Sequence, residues 1–299
     1  MNPNAKPRVA VDLGGTKILA VVEGPGGPAG PFLSRTKKAT NAVQGREAVL
    51  TTLRGAIDEA LDTAAVGSGV AALGVCVPGI VHPVTGVVSD CSNLPGWGEF
   101  ALGPWLSDHF GVAVTVVNDA RAATWAEFQT GAGSGVNNLA FLTLSTGIGG
   151  GFVFDGRLYQ GTRGVAGEWG EMRDDQGLTV ERSAAGSAVE RLFGIRAEDL
   201  RTLHDQGDPR AQEAFQHLVT RCGRLMANVA TLVDPDIIVI GGGLSQLGPW
   251  FLDALQAQIR AQAYSLSREV KLVPARWGDE AGVRGVLGLL PASNERPLG

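Results

Sequence analysis

The chain of 299 residues has little cysteine: Cys76, Cys91 and Cys222 are its only three. They are far apart, odd in number and form no CxxC pair, which argues against a disulfide framework and leads us to expect a reducing cytoplasm. A basic stripe is also missing. The 25 lysines and arginines are scattered and the net charge is -5, so a nucleic-acid footprint is not expected. That charge leaves phosphorylated ligands open, because backbone amides hold phosphate without net positive charge. Long apolar runs are absent too. The longest, 70–81, is broken by Pro78 and Gly79 and is too short to span a membrane. Residues 1–8 contain no apolar core of signal-peptide length. There is no GxxxxGK[ST], which excludes a P-loop, and no low-complexity linker.

What is present is a folded composition, 44% hydrophobic and 18% charged, with 43 glycines, several of them gathered where apolar runs end. Single domains usually stop growing at roughly 250–300 residues, so two domains are expected. The run 8–13 stops at Gly14-Gly15 and 17–22 follows, which reads as strand, tight turn, strand. A turn at 24–30 and a strand at 32–37 come next, then a helix over 44–64 from apolar residues at helical spacing. Strands are expected at 72–77 and 114–117, and a helix at 120–130. The run 139–144 then ends at Ser145-Thr146-Gly147, and after Ile148 and three glycines comes a strand at 152–154, so the opening pattern is repeated. A long helix over 209–233, a strand at 237–240, a helix at 246–262, a strand at 270–273 and a last helix near 280–290 complete the chain. Hairpins followed by alternating strands and helices indicate an α/β fold of two domains with a cleft between them. We expect a smaller domain over 1–118, with the helix near 280–291 packing back on it, and a larger one over 119–299.

Six motifs carry chemistry. In Asp12-Leu13-Gly14-Gly15-Thr16-Lys17, two glycines let backbone N–H groups approach a phosphate, Thr16 offers a hydroxyl, and Asp12 can hold hydrated magnesium; the plainer reading is an Asx-type hairpin turn. Ser145 to Gly151, with Thr146, Gly147, Gly149 and Gly150, is the matching turn of the second half. Two such turns facing each other would grip a polyphosphate. Asn118-Asp119 ends a buried strand, where open α/β sheets place ligands, and kinase chemistry needs a carboxylate there to accept a hydroxyl proton; the plainer role for Asp119 is capping a helix that starts at Ala120. Asn93-Leu94-Pro95-Gly96-Trp97 offers an amide to a sugar, or is a loop with Trp97 in the core. Glu168 and Glu171, with Glu181 further on, could hydrogen-bond sugar hydroxyls, or form a solvated acidic loop. Gly241-Gly242-Gly243, after an apolar strand, lets adenine lie against backbone, or is a plain strand-to-helix turn. The stretch Gly24-x-Gly26-x-x-Ala29 matches a dinucleotide fingerprint only formally, since it contains Pro25 and Pro28 and no helix follows.

DLGGTK, CVPG, NLPGW, NDAR, STGIGGG, GEWGE and DPDIIVIGGG, in this order, resemble the motifs of the ROK family (repressors, open reading frames and sugar kinases), over 9–290. The resemblance implies an actin-like ATPase (ribonuclease H-like) fold and ATP-dependent sugar phosphorylation, with magnesium as partner. It implies Asp119 as catalytic base, Asn93, Asn118, Glu168 and Glu181 as sugar contacts, and Gly79 at the pocket wall. It also assigns Gly14 to Thr16, Thr146 to Gly151 and Gly241 to Gly243 to the nucleotide. Two departures stand out. Relatives carry a histidine where Glu171 stands, followed by a CxCGxxGC zinc segment; here 172–180 reads MRDDQGLTV, without Cys or His, so no zinc is expected. Seven residues precede the first strand, too few for the helix-turn-helix of the family's regulators.

The expectation is therefore a sugar kinase, with sugar bound between the domains and closure excluding water. Glucose is the first substrate, N-acetylmannosamine or N-acetylglucosamine the next, and polyphosphate an alternative donor. A sugar sensor without turnover is the rival of another class, and the intact Asp119 and phosphate turns speak against it. A cytoplasmic homodimer without nucleic-acid or membrane partners is expected. Glu171 is expected to accept from sugar hydroxyls, or else to pair with Arg173 or Arg182.

Overall fold

The computed structural model describes residues 6–66, 69–91 and 93–291. The first five residues, part of the opening segment read for a leader, lie outside them. The chain forms two compact units: one of residues 1–130, 160–165 and 279–299, the other of 131–159 and 166–278.

The first unit is built on a five-stranded sheet with the order β3-β2-β1-β4-β7. Here β1 is Arg8–Leu13, β2 Lys17–Glu23, β3 Phe32–Ala39, β4 Ala72–Val77 and β7 Val114–Asn118. β1 pairs antiparallel with β2 across the glycine turn and parallel with β4, and β4 is parallel to β7. Every residue of β4 is buried, as its unbroken apolar run requires for a strand covered on both faces. One face carries α1 (Arg46–Ala64), whose Val49, Leu50, Leu53, Ala56, Ile57 and Ala60 form its buried stripe. α9 (Ala281–Leu289) covers the other, with Val283, Val286 and Leu287 packed on Ala10, Val21 and Cys76. α3 (Asp119–Thr130) packs against α9 and counts with this unit, whereas the sequence reading divided the chain before Asp119. Two elements lacked a sequence signal: α2 (Leu102–Phe110) and the two-stranded sheet of β5 (Ile80–Val81) and β6 (Val88–Ser89).

The second unit repeats the arrangement as β10-β9-β8-β11-β12. Its strands are β8 (Leu139–Leu144), β9 (Ile148–Phe154), β10 (Arg157–Tyr159), β11 (Ile237–Gly241) and β12 (Lys271–Pro274). Again a hairpin opens the sheet and the later strands join in parallel. The helices are α4 (Val180–Ala184), α5 (Gly186–Phe193), α6 (Leu200–Asp205), α7 (Pro209–Val233) and α8 (Pro249–Gln262). α7 begins at the N-cap Asp208, whose carboxylate accepts from the N–H groups of Arg210 and Ala211, with Pro209 in the first turn. The short helices α4, α5 and α6 were not read from sequence, because segments of five to eight residues show too few helical repeats. Among the described residues no helix is long and apolar enough to cross a membrane.

Candidate active site

In the first unit the loops after β1, β4 and β7 lie at the carboxyl ends of three parallel strands. The turn after β1 is closed by the Gly14 N–H donating to the Lys17 carbonyl (2.9 Å), and the Thr40 hydroxyl donates to the Gly14 carbonyl (2.6 Å). Gly15 is glycine because Asn93 presses on it: a Cβ there would stand 2.8 Å from the Asn93 carbonyl oxygen. The Gly14-Gly15 turn and the NLPGW loop therefore touch. Asn93 is exposed, whereas Trp97 is buried and meets Phe100 edge-on at 5.8 Å, so the core role weighed for Trp97 is the observed one. Thr16 is exposed, and Lys17 pairs with Asp279 at 2.6 Å.

Asp12 lies beside Cys76 in the β1–β4 register, and the thiol hydrogen-bonds its carboxylate. Burial pushes the Asp12 carboxyl up to about 6, against the thiol and Lys17, which lower it; Asp279 adds to the rise. Among the described residues no lysine or arginine is ion-paired with Asp12. Burial likewise pushes the Cys76 thiol well above its usual range, so it donates rather than ionises. The sequence presents Cys76 as a free thiol and as the first residue of the CVPG motif. Its link to Asp12 was missed, and the CVPG motif was the available signal.

Gly79, after β4, has φ +99°, and a Cβ there would stand 2.7 Å from both Cys91 Sγ and the Ser89 carbonyl oxygen, so only glycine fits. Asn118 Nδ2 donates to the Gly79 carbonyl (2.9 Å), and its Oδ1 accepts from the Arg121 N–H (3.1 Å). The capping role considered for Asp119 is thus carried by Asn118, and the helix starts at Asp119 rather than Ala120. Asp119 becomes the first residue of α3, with its Oδ1 accepting from the Ala120 N–H at 2.7 Å.

In the second unit the turn is tighter than expected. Ser145–Gly147 alone forms it, and the Ser145 N–H donates to the Gly147 carbonyl (2.9 Å). Gly149, Gly150 and Gly151, read as part of the turn, are strand residues paired with Thr143, Leu142 and Phe141. A run of three glycines reads as a loop, yet here it lets other groups come close: the space a Cβ on Gly150 would need is filled by the Phe141 carbonyl and the Trp169 indole nitrogen. Thr146 is exposed, and its carbonyl accepts from the Ser187 hydroxyl (2.7 Å), while that of Ser145 accepts from the Gly186 N–H (2.7 Å). The start of α5 therefore docks on this turn, a contact the sequence did not announce. Gly242, at φ +83°, packs against the Leu144 backbone, and a Cβ on Gly243 would lie 4.0 Å from Ser145 Oγ. Gly241 ends β11 beside Thr143. The two glycine motifs of this unit are neighbours.

Glu181, in the first turn of α4, accepts from the Ile148 N–H at 2.8 Å, and its Oε2 occupies the space beside Gly147. It ties the acidic segment to the turn. Glu168 is half-buried and precedes a 3-10 turn, Trp169–Glu171, whose indole is buried and stacks on Phe152 at 5.4 Å. Glu171 is exposed, and the pairing with Arg173 or Arg182 is not formed: the Arg173 guanidinium donates instead to the Gly177 carbonyl (3.3 Å). Among the described residues no group of three His, Cys, Asp or Glu side chains is placed to hold a metal ion.

Duplicated sheets, each with an opening hairpin and ligand-type turns at the strand ends, define a two-domain α/β protein of the actin-like ATPase fold. The ROK family model matches residues 8–293, and the chain belongs to that family. It is 30% identical to a glucokinase of Streptomyces coelicolor over 94% of this chain and 96% of the relative. It is also 30% identical to an N-acetylmannosamine kinase of Vibrio cholerae, over 85% and 89%. The structure resembles a ROK family glucokinase from Streptomyces griseus in complex with glucose and AMPPNP, with a TM-score of 0.79, 29% identity, and 95% and 98% of the two chains covered.

Proposed function

We propose that this ATP-dependent sugar kinase phosphorylates a hexose hydroxyl, with glucose giving glucose 6-phosphate, and that Asp119 is the general base. The observation that carries the reading is the meeting of Asn93 with Gly15 and of Asn118 with Gly79, beside Asp119. Groups suited to a sugar and a turn suited to phosphate are in contact within one unit. The likeness to a glucokinase over nearly the whole chain supports glucose as the first substrate. The similar likeness to an N-acetylmannosamine kinase keeps the N-acylhexosamines as the second reading.

Asn93, Asn118, Glu168, Glu171 and Glu181 would hold the sugar, with Gly79 forming the wall beside Asn118. Carboxylates accept from hydroxyls, which suits a neutral polyol. Gly14 to Lys17, Thr146, Gly147, Gly149, Gly150 and Gly241 to Gly243 would serve ATP. Asp12 would hold magnesium: a half-buried carboxylate pushed up to about 6, hydrogen-bonded by a thiol and without an ion-paired lysine or arginine among the described residues, has the hard oxygen chemistry that this ion takes. When bound, the ion would neutralise charge on the phosphates. As the sugar oxygen bonds to the γ-phosphorus, the bond from that phosphorus to the bridging oxygen breaks and ADP leaves. Asp119 takes the hydroxyl proton. The free thiols Cys76, Cys91 and Cys222 suit a reducing compartment, and we place the reaction in the cytoplasm.

The test is a coupled assay over glucose, mannose, N-acetylmannosamine and N-acetylglucosamine, with ATP and polyphosphate as alternative donors. Glucose with ATP is expected to give the highest kcat/KM. Turnover of no sugar with either donor would refute the kinase reading, and a preference for polyphosphate would refute the donor.

A further inference from the structure

The segment between Glu171 and Glu181 is held in an unusual way. Asp174, whose side chain is only 6% exposed, sits at its centre. Its Oδ1 accepts from the N–H groups of Gln176 (2.9 Å) and Leu178 (3.0 Å), and its Oδ2 receives the guanidinium of Arg221 from α7. The Ser183 hydroxyl, which donates to the Val180 carbonyl (3.3 Å), lies beside it. Burial alone would raise the Asp174 carboxyl, yet these N–H groups, Ser183 and Arg221 hold it below the usual carboxylate range, so it is ionised at neutral pH. Around it the backbone closes: the Val180 N–H donates to the Met172 carbonyl (2.8 Å) and the Asp174 N–H to that of Leu178 (2.9 Å).

The same face of α7 supplies further anchors, at i, i+4 and i+7 spacing. His217 Nε2 lies 2.6 Å from the Ser183 carbonyl, to which it donates, and Arg224 pairs with Asp175 at 2.8 Å. Only 17% of the Arg221 side chain is exposed. The segment starts directly after the turn bearing Glu168 and Glu171 and runs into α4 bearing Glu181. The segment that joins the two ends of the acidic constellation is thus anchored to α7, with the Asp174–Arg221 pair at its centre and the Arg224–Asp175 and His217–Ser183 contacts beside it.

We propose that the Asp174–Arg221 pair is a positioning device that fixes the carboxylates of Glu168, Glu171 and Glu181 relative to the sugar, and so determines sugar affinity. It rests on the kinase reading above. Neither residue is among those assigned to sugar or nucleotide; both act through the segment they clamp. A displacement of about 1 Å in a positioning group can cost up to ~10²-fold, so a marked effect on the sugar is expected, with little on ATP.

The experiment compares wild type with Asp174→Asn, Arg221→Met, the double variant and Arg221→Lys. Asp174→Asn keeps the Oδ1 acceptor for Gln176 and Leu178, removes the charge and puts an amide NH2 where Oδ2 accepts from Arg221. KM for glucose, KM for ATP, kcat and Tm are measured for each. The glucose KM is expected to rise roughly tenfold in both single variants while the ATP KM stays within about twofold. The double variant should be no worse than either single one, because the residues act as a unit. Arg221→Lys, which keeps the charge and is the mildest change should the others fold poorly, should recover much of the glucose affinity. A fall in Tm with an unchanged glucose KM, or additive effects in the double variant, would overturn the inference. A wild type that phosphorylates no sugar would instead overturn the parent reading.

Discussion

The two hairpin turns have the same topology and are crowded by different things. In the first unit Gly15 is pressed by the backbone of Asn93; in the second Gly147 is pressed by the far end of the Glu181 side chain. The penultimate strand residue differs as well: Asp12 in β1 pairs with Leu19, where Thr143 in β8 pairs with Gly149. One scaffold used twice thus carries a half-buried carboxylate in one copy and an uncharged hydroxyl in the other. Asp119 adds a second acid at the strand ends of the first unit. The lesson is that the repeated sheet supplies turns, and the chemistry is placed by what each unit packs against them.

The largest effect should come from Asp119→Asn, which removes the proposed base from the charged half. kcat should fall by ~10²–10⁴, with sugar affinity by calorimetry within a few fold. A variant with near wild-type kcat would remove Asp119 from the chemistry.

Next comes Asp12, whose folded carboxyl sits at about 6 against 3.8 for an unperturbed one. The folded state holds this proton more tightly, so stability falls as pH rises from 3.8 to about 6 and is level above that. In magnesium-free urea titrations from pH 4 to 8, Asp12→Asn should abolish a decline on the order of 2–3 kcal/mol. Thr143→Ser in the other copy should leave the decline unchanged. Parallel curves for wild type and Asp12→Asn would show that Asp12 is not buried as described.

A smaller contrast separates the turns themselves. Gly15→Ala meets backbone and should cost about 1–3 kcal/mol. Gly147→Ala meets a side-chain end that can swing away and should cost less, about the value of the Glu181 bond to the Ile148 N–H, ~1.5 kcal/mol. Chemical denaturation of both variants decides it, and the opposite order would contradict the packing.

The smallest change is expected for Glu171→Ala. The side chain is exposed and holds no ion pair among the described residues, so Tm should shift by no more than about 1 °C, a change within ±0.5 kcal/mol. The sugar KM should nonetheless rise a few fold, with a changed preference between glucose and its 2-substituted analogues and an unchanged ATP KM. Unchanged kinetics for every sugar would make Glu171 a plain surface residue.

By itself the sequence determined the two sheets, their opening hairpins, the long helices α1 and α7, and the family, because unbroken apolar runs and repeated helical spacing are local signals that need no partner to be read. Glycine beside a strand end was legible as a turn at Gly14-Gly15. It misled at Gly149 to Gly151, where close approach of the Phe141 carbonyl and Trp169, not a turn, requires the missing side chain. Tertiary structure alone decided that Asn118 and not Asp119 caps α3, that Cys76 lies against Asp12, and that Glu181 reaches back to Ile148. It also paired Asp174 with Arg221, 47 residues away. The cap is local, joining Asn118 to Arg121, and is set by where the helix begins; the other contacts join residues far apart in the chain, and such bonds have no period for a sequence to display.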